Sequence, residues 1–131
     1  MLLFVVSWLV SCRKECHHTH NTLSGSYAGT FKRWMDKDLL TTNIQITFYG
    51  NLFIGSSDSV NHPSICNGAF EIIGNSDSID FVNSCVFPAS FDPSYILNGS
   101  FKFIQKGDSI YFRRLYGDLF YGEDVYSLRK Q

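Results

Sequence analysis

Cys66 and Cys85 are the residues whose spacing most clearly predicts a reaction, which is oxidation to a disulfide. The stretch between them alternates like a β-hairpin closed by the four-residue loop Gly74-Asn75-Ser76-Asp77. With Ile73 opposite Ser78, the register pairs Ile72 with Ile79, Phe70 with Phe81, Gly68 with Asn83 and Cys66 with Cys85. Facing cysteines are within disulfide reach, so the pattern predicts a bridge and an oxidising compartment. The alternative is two free thiols in a cytosolic protein.

The N-terminal run M-L-L-F-V-V-S-W-L-V is apolar and stops abruptly at Ser11. It is too short to span a bilayer as a helix, which needs about 20 apolar residues, but it suits the core of a secretory signal. Leu9-Val10-Ser11-Cys12 resembles a bacterial lipobox, in which cleavage precedes a cysteine that is then acylated, although no Lys or Arg precedes the run. The resemblance implies a signal peptide at 1–11 and a lipid anchor on Cys12. An ordinary export signal that leaves Cys12 free is the alternative.

Residues 12–23 are polar and charged without an apolar period, which predicts a flexible tether. Cys16, His17, His18 and His20 are ligand types that zinc or copper accept. Their spacing matches no closed structural site, so we predict solvated histidines, a spare thiol and no metal or cofactor.

The remaining sequence lacks enzyme motifs: it has no G-x-S-x-G, no phosphate-binding loop and no H-E-x-x-H. The net charge is −1 and no basic stripe runs along the chain, which argues against nucleic-acid binding. We therefore predict that the chain is not an enzyme and does not bind nucleic acid.

Aromatic residues make up 16% of the chain and alternate with Thr, Ile and Val, which indicates β structure. Tight turns are predicted at Gly107-Asp108 and Gly117-Asp118, and 35–42 is predicted to be a charged loop or a single turn. The predicted strands are 23–34, 43–49, 52–54, the two arms of the 66–85 hairpin, 94–105, 109–116 and 119–129.

About eight short strands without a covering helix predict an all-β fold, a single antiparallel up-and-down meander closed into a barrel. The barrel domain is predicted to span 24–131, and a two-sheet β-sandwich is the alternative.

A possible ligand site depends on the register of the last two strands. If Gly117-Asp118 is a two-residue turn, then Arg114 lies opposite Tyr121, and both share the inner face with Glu123, Phe103 and Phe112. A buried Arg114 requires an anion, either Glu123 or a ligand carboxylate. A bulge near Glu123 would instead turn these residues outward.

From about Leu23 onward, the chain resembles the small lipocalin-like lipoproteins of Gram-negative bacteria. The features that carry the resemblance are Gly25-x-Tyr27 in the first strand, the meander of short strands, and Arg129 near the C-terminus. In the lipocalin pattern, an aromatic residue of the first strand packs beneath an Arg from the end of the barrel. The resemblance therefore implies that Tyr27, standing where Trp is usual, packs against Arg129, and that the barrel has an apolar interior.

Two hypotheses for function follow. The first is a lipid-anchored monomer of the bacterial cell envelope that holds a small hydrophobic ligand in the barrel. The second is an envelope interaction protein, or an inhibitor of a secreted enzyme, that acts through loops such as 55–63 and 86–93 above a filled core. Whether side chains fill the barrel distinguishes them.

Overall fold

The computed structural model describes residues 23–59, 62–75, 77–116 and 122–131. Eight antiparallel strands, taken in sequence order, form a closed barrel in which β8 pairs with β1. The predicted fold is therefore confirmed. The strands are β1 (Gly25–Met35), β2 (Asp38–Tyr49), β3 (Leu52–Ser57), β4 (Cys66–Ile73), β5 (Ser78–Asn83), β6 (Gly99–Lys106), β7 (Ser109–Tyr116) and β8 (Gly122–Lys130).

Alternation places every second side chain inside the barrel. On β2, for example, Ile44, Ile46 and Phe48 are buried as predicted, whereas Asn43 and Gln45 are exposed. Aromatic rings occupy the middle of the interior: Phe112 stacks on Tyr126 with ring centroids 4.5 Å apart and packs against Phe81 at 5.2 Å and Phe101 at 5.5 Å.

The two ends of the barrel differ. At what we call the turn end, short connections at 50–51, 74–77 and 107–108 join the strands, and Leu23 is buried. At the opposite loop end, the described connections include 58–59, 62–65 and the long segment 84–98, which contains the 3-10 helix Pro93–Tyr95. Among the described residues, no helix is long and apolar enough to cross a membrane.

The register of the central hairpin is as predicted. Gly68 pairs with Asn83, Phe70 with Phe81, and Ile72 with Ile79. The disulfide between Cys66 and Cys85 is present, with their Cα atoms 6.4 Å apart. The Gly107-Asp108 turn is also correct, since Phe103 pairs with Phe112 and Gln105 with Ile110.

Two predicted segments are wrong. Residues 35–42 form a hairpin with its turn at 36–37, because Trp34 and Leu40 continue the β1–β2 ladder on either side of it. The predicted sixth strand begins at Gly99 rather than at 94, because Pro93 starts a 3-10 turn there.

The predicted register between the last two strands is also wrong. Leu115 pairs with Glu123 and Arg114 with Asp124, so the ladder is shifted by three residues from that of a two-residue turn. An odd shift exchanges the two faces of a strand. Consequently Asp124 points inward and Glu123 points outward.

Candidate functional site

The candidate site is built on residues 84–98, which leave β5 at the loop end and return to β6. We call this segment the strap. Its sequence contains Pro88 and Pro93, which cannot donate to a β ladder, and this explains why no described strand continues through it.

The start of the strap is held covalently and by hydrogen bonds. Cys85 is bridged to Cys66 at the beginning of β4. The Asn83 side chain accepts a hydrogen bond from the Cys85 amide at 3.0 Å and donates to the carbonyl oxygen of Ile65 at 2.8 Å. This end of the strap is therefore fixed to residues 65–66, where β4 begins.

The returning half of the strap is pinned to residues 64–65. The Ser64 amide donates to the Tyr95 carbonyl oxygen at 2.9 Å, and the Leu97 amide donates to the Ser64 carbonyl oxygen at 2.9 Å. Leu97 and Ile65 are buried in the core. The apolar anchors and the short parallel bridge thus close the loop end beneath the strap.

The middle of the strap is capped by Asp92. Its carboxylate accepts a hydrogen bond from the Ser94 amide at 2.9 Å and so caps the 3-10 turn Pro93–Tyr95. Hydrogen bonds from Ser94, first from its backbone, lower the pKa of Asp92. The charged form of Asp92 therefore stabilises this conformation of the strap.

A buried ion pair lies directly beneath the 3-10 turn. Arg33 donates to Asp124 through Nε at 2.7 Å and through Nη2 at 2.9 Å. The same guanidinium donates to the hydroxyl of Ser94 at 2.9 Å and to its carbonyl oxygen at 2.7 Å, and it lies 3.8 Å from the ring centroid of Tyr95. Strands β1 and β8 thereby hold the strap from inside the barrel.

Arg114 adds a second guanidinium to this cluster. It donates to the carbonyl oxygens of Asn98 at 2.8 Å and Ser94 at 3.2 Å, lies 3.8 Å from Asp124, and rests 4.5 Å from the ring centroid of Phe101. The prediction that Arg114 points inward is correct, but among the described residues its carboxylate partner is Asp124 rather than Glu123.

The part of the strap that is most exposed is 86–91, V-F-P-A-S-F, which we call the apolar tip. The exposed fraction of Val86 is 96%. The tip turns where the Phe91 amide donates to the Pro88 carbonyl oxygen at 2.9 Å, and the rings of Phe87 and Phe91 lie 5.2 Å apart. The tip carries no charged residue and is held at both ends; it exposes Val86, whereas Phe87 and Phe91 are half-buried.

The other predicted ligand residues do not form a site together. Phe103 and Phe112 are buried in the core. Glu123 lies on the outer face, where its carboxylate is 3.4 Å from the guanidinium of Arg113. Tyr121 lies outside the described residues.

The predicted packing of Tyr27 against Arg129 is wrong. Arg129 pairs with Ala28 and is exposed, whereas Tyr27 pairs with Lys130 and points into the barrel. Tyr27 instead packs edge-on against Phe48, with ring centroids 5.6 Å apart. Burial, and secondarily the charge of Asp108, raise its pKa.

The remaining predicted residues contribute little to the site. His62 is exposed, as predicted for this loop, and its ring meets that of Tyr95 edge-on at 4.4 Å. Within the part of the chain that the structure describes, no three His, Cys, Asp or Glu side chains are grouped to hold a metal ion. Cys12, Cys16 and the histidines at 17, 18 and 20 lie outside that part.

The Arg33–Asp124 pair was not predicted from the sequence, although the alternation of β1 contains a signal for a buried Arg33. Arg33 has the same parity as the inward residues Tyr27 and Phe31, so β1 alternation alone places a guanidinium inside the barrel. A buried guanidinium requires a carboxylate partner, and β8 supplies one at Asp124.

No family model, no curated protein and no solved structure matches this chain.

Proposed function

We propose that this chain is a protein-interaction module of the bacterial cell envelope, tethered to a membrane through Cys12, and that its strap binds the partner. The observation that carries the proposal is the apolar tip 86–91, which exposes Val86 almost completely and is fixed at both ends. The tether is an expectation from the sequence.

The anchoring of the strap favours binding. A loop that already has its bound conformation loses less entropy on association, so preorganisation increases affinity. The Cys66–Cys85 bridge holds one side of the tip, and the Ser94 contacts with Arg33 hold the other. Such a loop suits insertion into an apolar cleft of another protein.

The charges exposed at the loop end favour a protein over an acidic bilayer as the partner of this end. Among the described connections there, the exposed acids are Asp36, Asp58 and Asp92, against one exposed Lys or Arg, Lys37. These carboxylates would be repelled by anionic lipid head groups. A protein cleft with a basic rim would attract them.

A carrier of a small hydrophobic molecule is the second candidate, and the aromatic inner wall is the observation that favours it. However, these rings already contact one another: Phe81 packs against Phe53 at 5.2 Å and Tyr126 against Phe31 at 4.9 Å. A ligand at that level would have to displace them. Two surface grooves formed by described residues, of about 540 and 430 Å³, are lined largely by outward-facing residues such as Gln45 and Val82.

Site-specific photo-crosslinking in the native host tests the proposal. A photoreactive residue at Val86 should form one dominant protein adduct, whereas the same residue at Ile104, exposed on the barrel wall, should not. Phe91→Asp should abolish the Val86 adduct without lowering the melting temperature by more than a few degrees. Native mass spectrometry supplies the opposing outcome: a co-purifying lipid-like mass, with no adduct at Val86, would support the carrier instead.

A further inference from the structure

One wall of the barrel concentrates the exposed cations. It consists of the outward-facing positions of four adjacent strands, β6, β7, β8 and β1, and we call it the basic wall. Among the described outward positions of these strands there is one acidic residue, Glu123, and its carboxylate is paired with Arg113. The cations are Lys32, Lys102, Lys106, Arg113 and Arg129.

Strand register brings these cations together. Lys102 pairs with Arg113, Arg113 with Val125, and Val125 with Lys32, so one row crosses all four strands. A second row nearer the turn end joins Lys106 to Ser109, Arg129 and Ala28. In contrast, the outward positions of β3, β4 and β5 carry Glu71 and Asp80 and no cation.

Exposed apolar side chains lie between and beside the basic rows. Ile104 and Tyr111 pair between them, with exposed fractions of 48% and 42%. At the loop-end side, Leu115 and Trp34 flank Glu123, with exposed fractions of 51% and 48%. From strand and residue spacings, the basic wall extends about 14 Å around the curved side of the barrel and about 20 Å along the strands.

We infer that the basic wall rests on a bilayer that contains anionic lipids. Tyr and Trp side chains are favoured at membrane interfaces, and Lys and Arg can place their charges at the head groups while their alkyl stems contact apolar surface. Charge complementarity therefore identifies an anionic bilayer as the surface that the basic wall contacts. The apolar residues between the cations distinguish the basic wall from a nucleic-acid site. Phosphate contacts alone would leave Trp34, Ile104 and Leu115 unburied.

This inference is independent of the proposed role of the strap. The basic wall runs along the side of the barrel, whereas the strap lies across its loop end. A barrel lying on its side would leave the strap free to meet a protein partner.

Vesicle binding of the predicted mature chain, residues 12–131, tests the inference. This chain lacks the apolar run of the signal, and the variant Cys12→Ser has no site for acylation, so that binding reports on the barrel. We expect it to co-sediment with vesicles of phosphatidylglycerol and phosphatidylcholine, more weakly as salt increases, and not with phosphatidylcholine alone. Lys32→Gln with Lys102→Gln should reduce the affinity about 25-fold, or ~fivefold for each cation. Lys37→Gln, in the β1–β2 turn, is the matched control and should have little effect.

The orientation is tested by quenching with brominated lipids. In residues 12–131 with Cys12→Ser, where Trp34 is the one tryptophan, bound vesicles should quench Trp34 fluorescence. A tryptophan moved to the opposite wall, by Trp34→Phe with Ile54→Trp on β3, should not be quenched. Equal binding to neutral vesicles, no binding, or equal quenching at both positions would overturn the inference. Tighter binding to a DNA or RNA duplex than to anionic vesicles would assign the wall to nucleic acid instead.

Discussion

Asp124 is completely buried beneath the strap and receives two hydrogen bonds from the guanidinium of Arg33, at 2.7 and 2.9 Å. This pair joins β1 to β8, the strands that close the barrel, and the same guanidinium holds Ser94 of the strap. One buried interaction therefore contributes both to closure of the sheet and to placement of the candidate binding loop.

Breaking this pair should strongly destabilise the protein. Asp124→Leu leaves the Arg33 charge buried without this carboxylate, which typically costs about 3–5 kcal/mol. The free energy of unfolding in urea measures the loss. Arg113→Gln breaks the exposed pair with Glu123 and should cost at most about 1 kcal/mol. Similar losses in the two variants would contradict a structural role for the buried pair.

Removal of the disulfide should lower stability without dissolving the fold. Cys66 and Cys85 are separated by 19 positions, and a bridge across a loop of that size contributes about 3 kcal/mol in the chain-entropy model. Cys66→Ser with Cys85→Ser should lower the melting temperature and keep the far-ultraviolet spectrum of the barrel. Cys16→Ser is the control. If the double variant is unfolded at room temperature, the disulfide is required for folding and does not only add stability.

Gly29 should not accept a side chain. An added Cβ would collide with the carbonyl oxygen of Ser127 on β8, where β1 and β8 approach closely. Overpacking of this kind costs about 1–3 kcal/mol, so Gly29→Ala should unfold at lower denaturant concentration. Thr30→Ala, at the next and outward-facing position, should change stability little. Equal stability of Gly29→Ala and the wild type would mean that the strands can separate locally.

The strap should loosen in acid. The pKa of Asp92 is lowered in the folded protein, so its contribution to stability is present above the unfolded pKa of about 4 and is lost as pH falls through the lower folded value. Asp92 is exposed, which keeps the effect small and local. Amide hydrogen exchange at Ser94 should therefore accelerate in acid relative to that of a barrel amide such as Phe112. Asp92→Asn, which keeps an acceptor, should remove this pH dependence.

The sequence alone was sufficient for the barrel and for much of its register. Alternation assigned Ile44, Ile46 and Phe48 to the interior, because side chains on a strand point to opposite faces in turn. The four-residue loop at 74–77 set the pairing of Phe70 with Phe81, and the Gly107-Asp108 turn set that of Phe103 with Phe112. Tight turns determine register locally, so neighbours in sequence suffice to predict it.

Only the tertiary structure decided which distant charges meet. The β7–β8 register was misassigned by three residues, and an odd shift moved Glu123 outside and Asp124 inside, into contact with Arg33. The basic wall needed the tertiary structure as well. The Gly107-Asp108 hairpin already sets Lys102 opposite Arg113, but Lys32 is distant from both in sequence and joins their row only through pairing of β1 with β8. Local patterns specify strands and turns, whereas closure of the barrel brings its first and last strands together and so creates both the strap anchor and the charged wall.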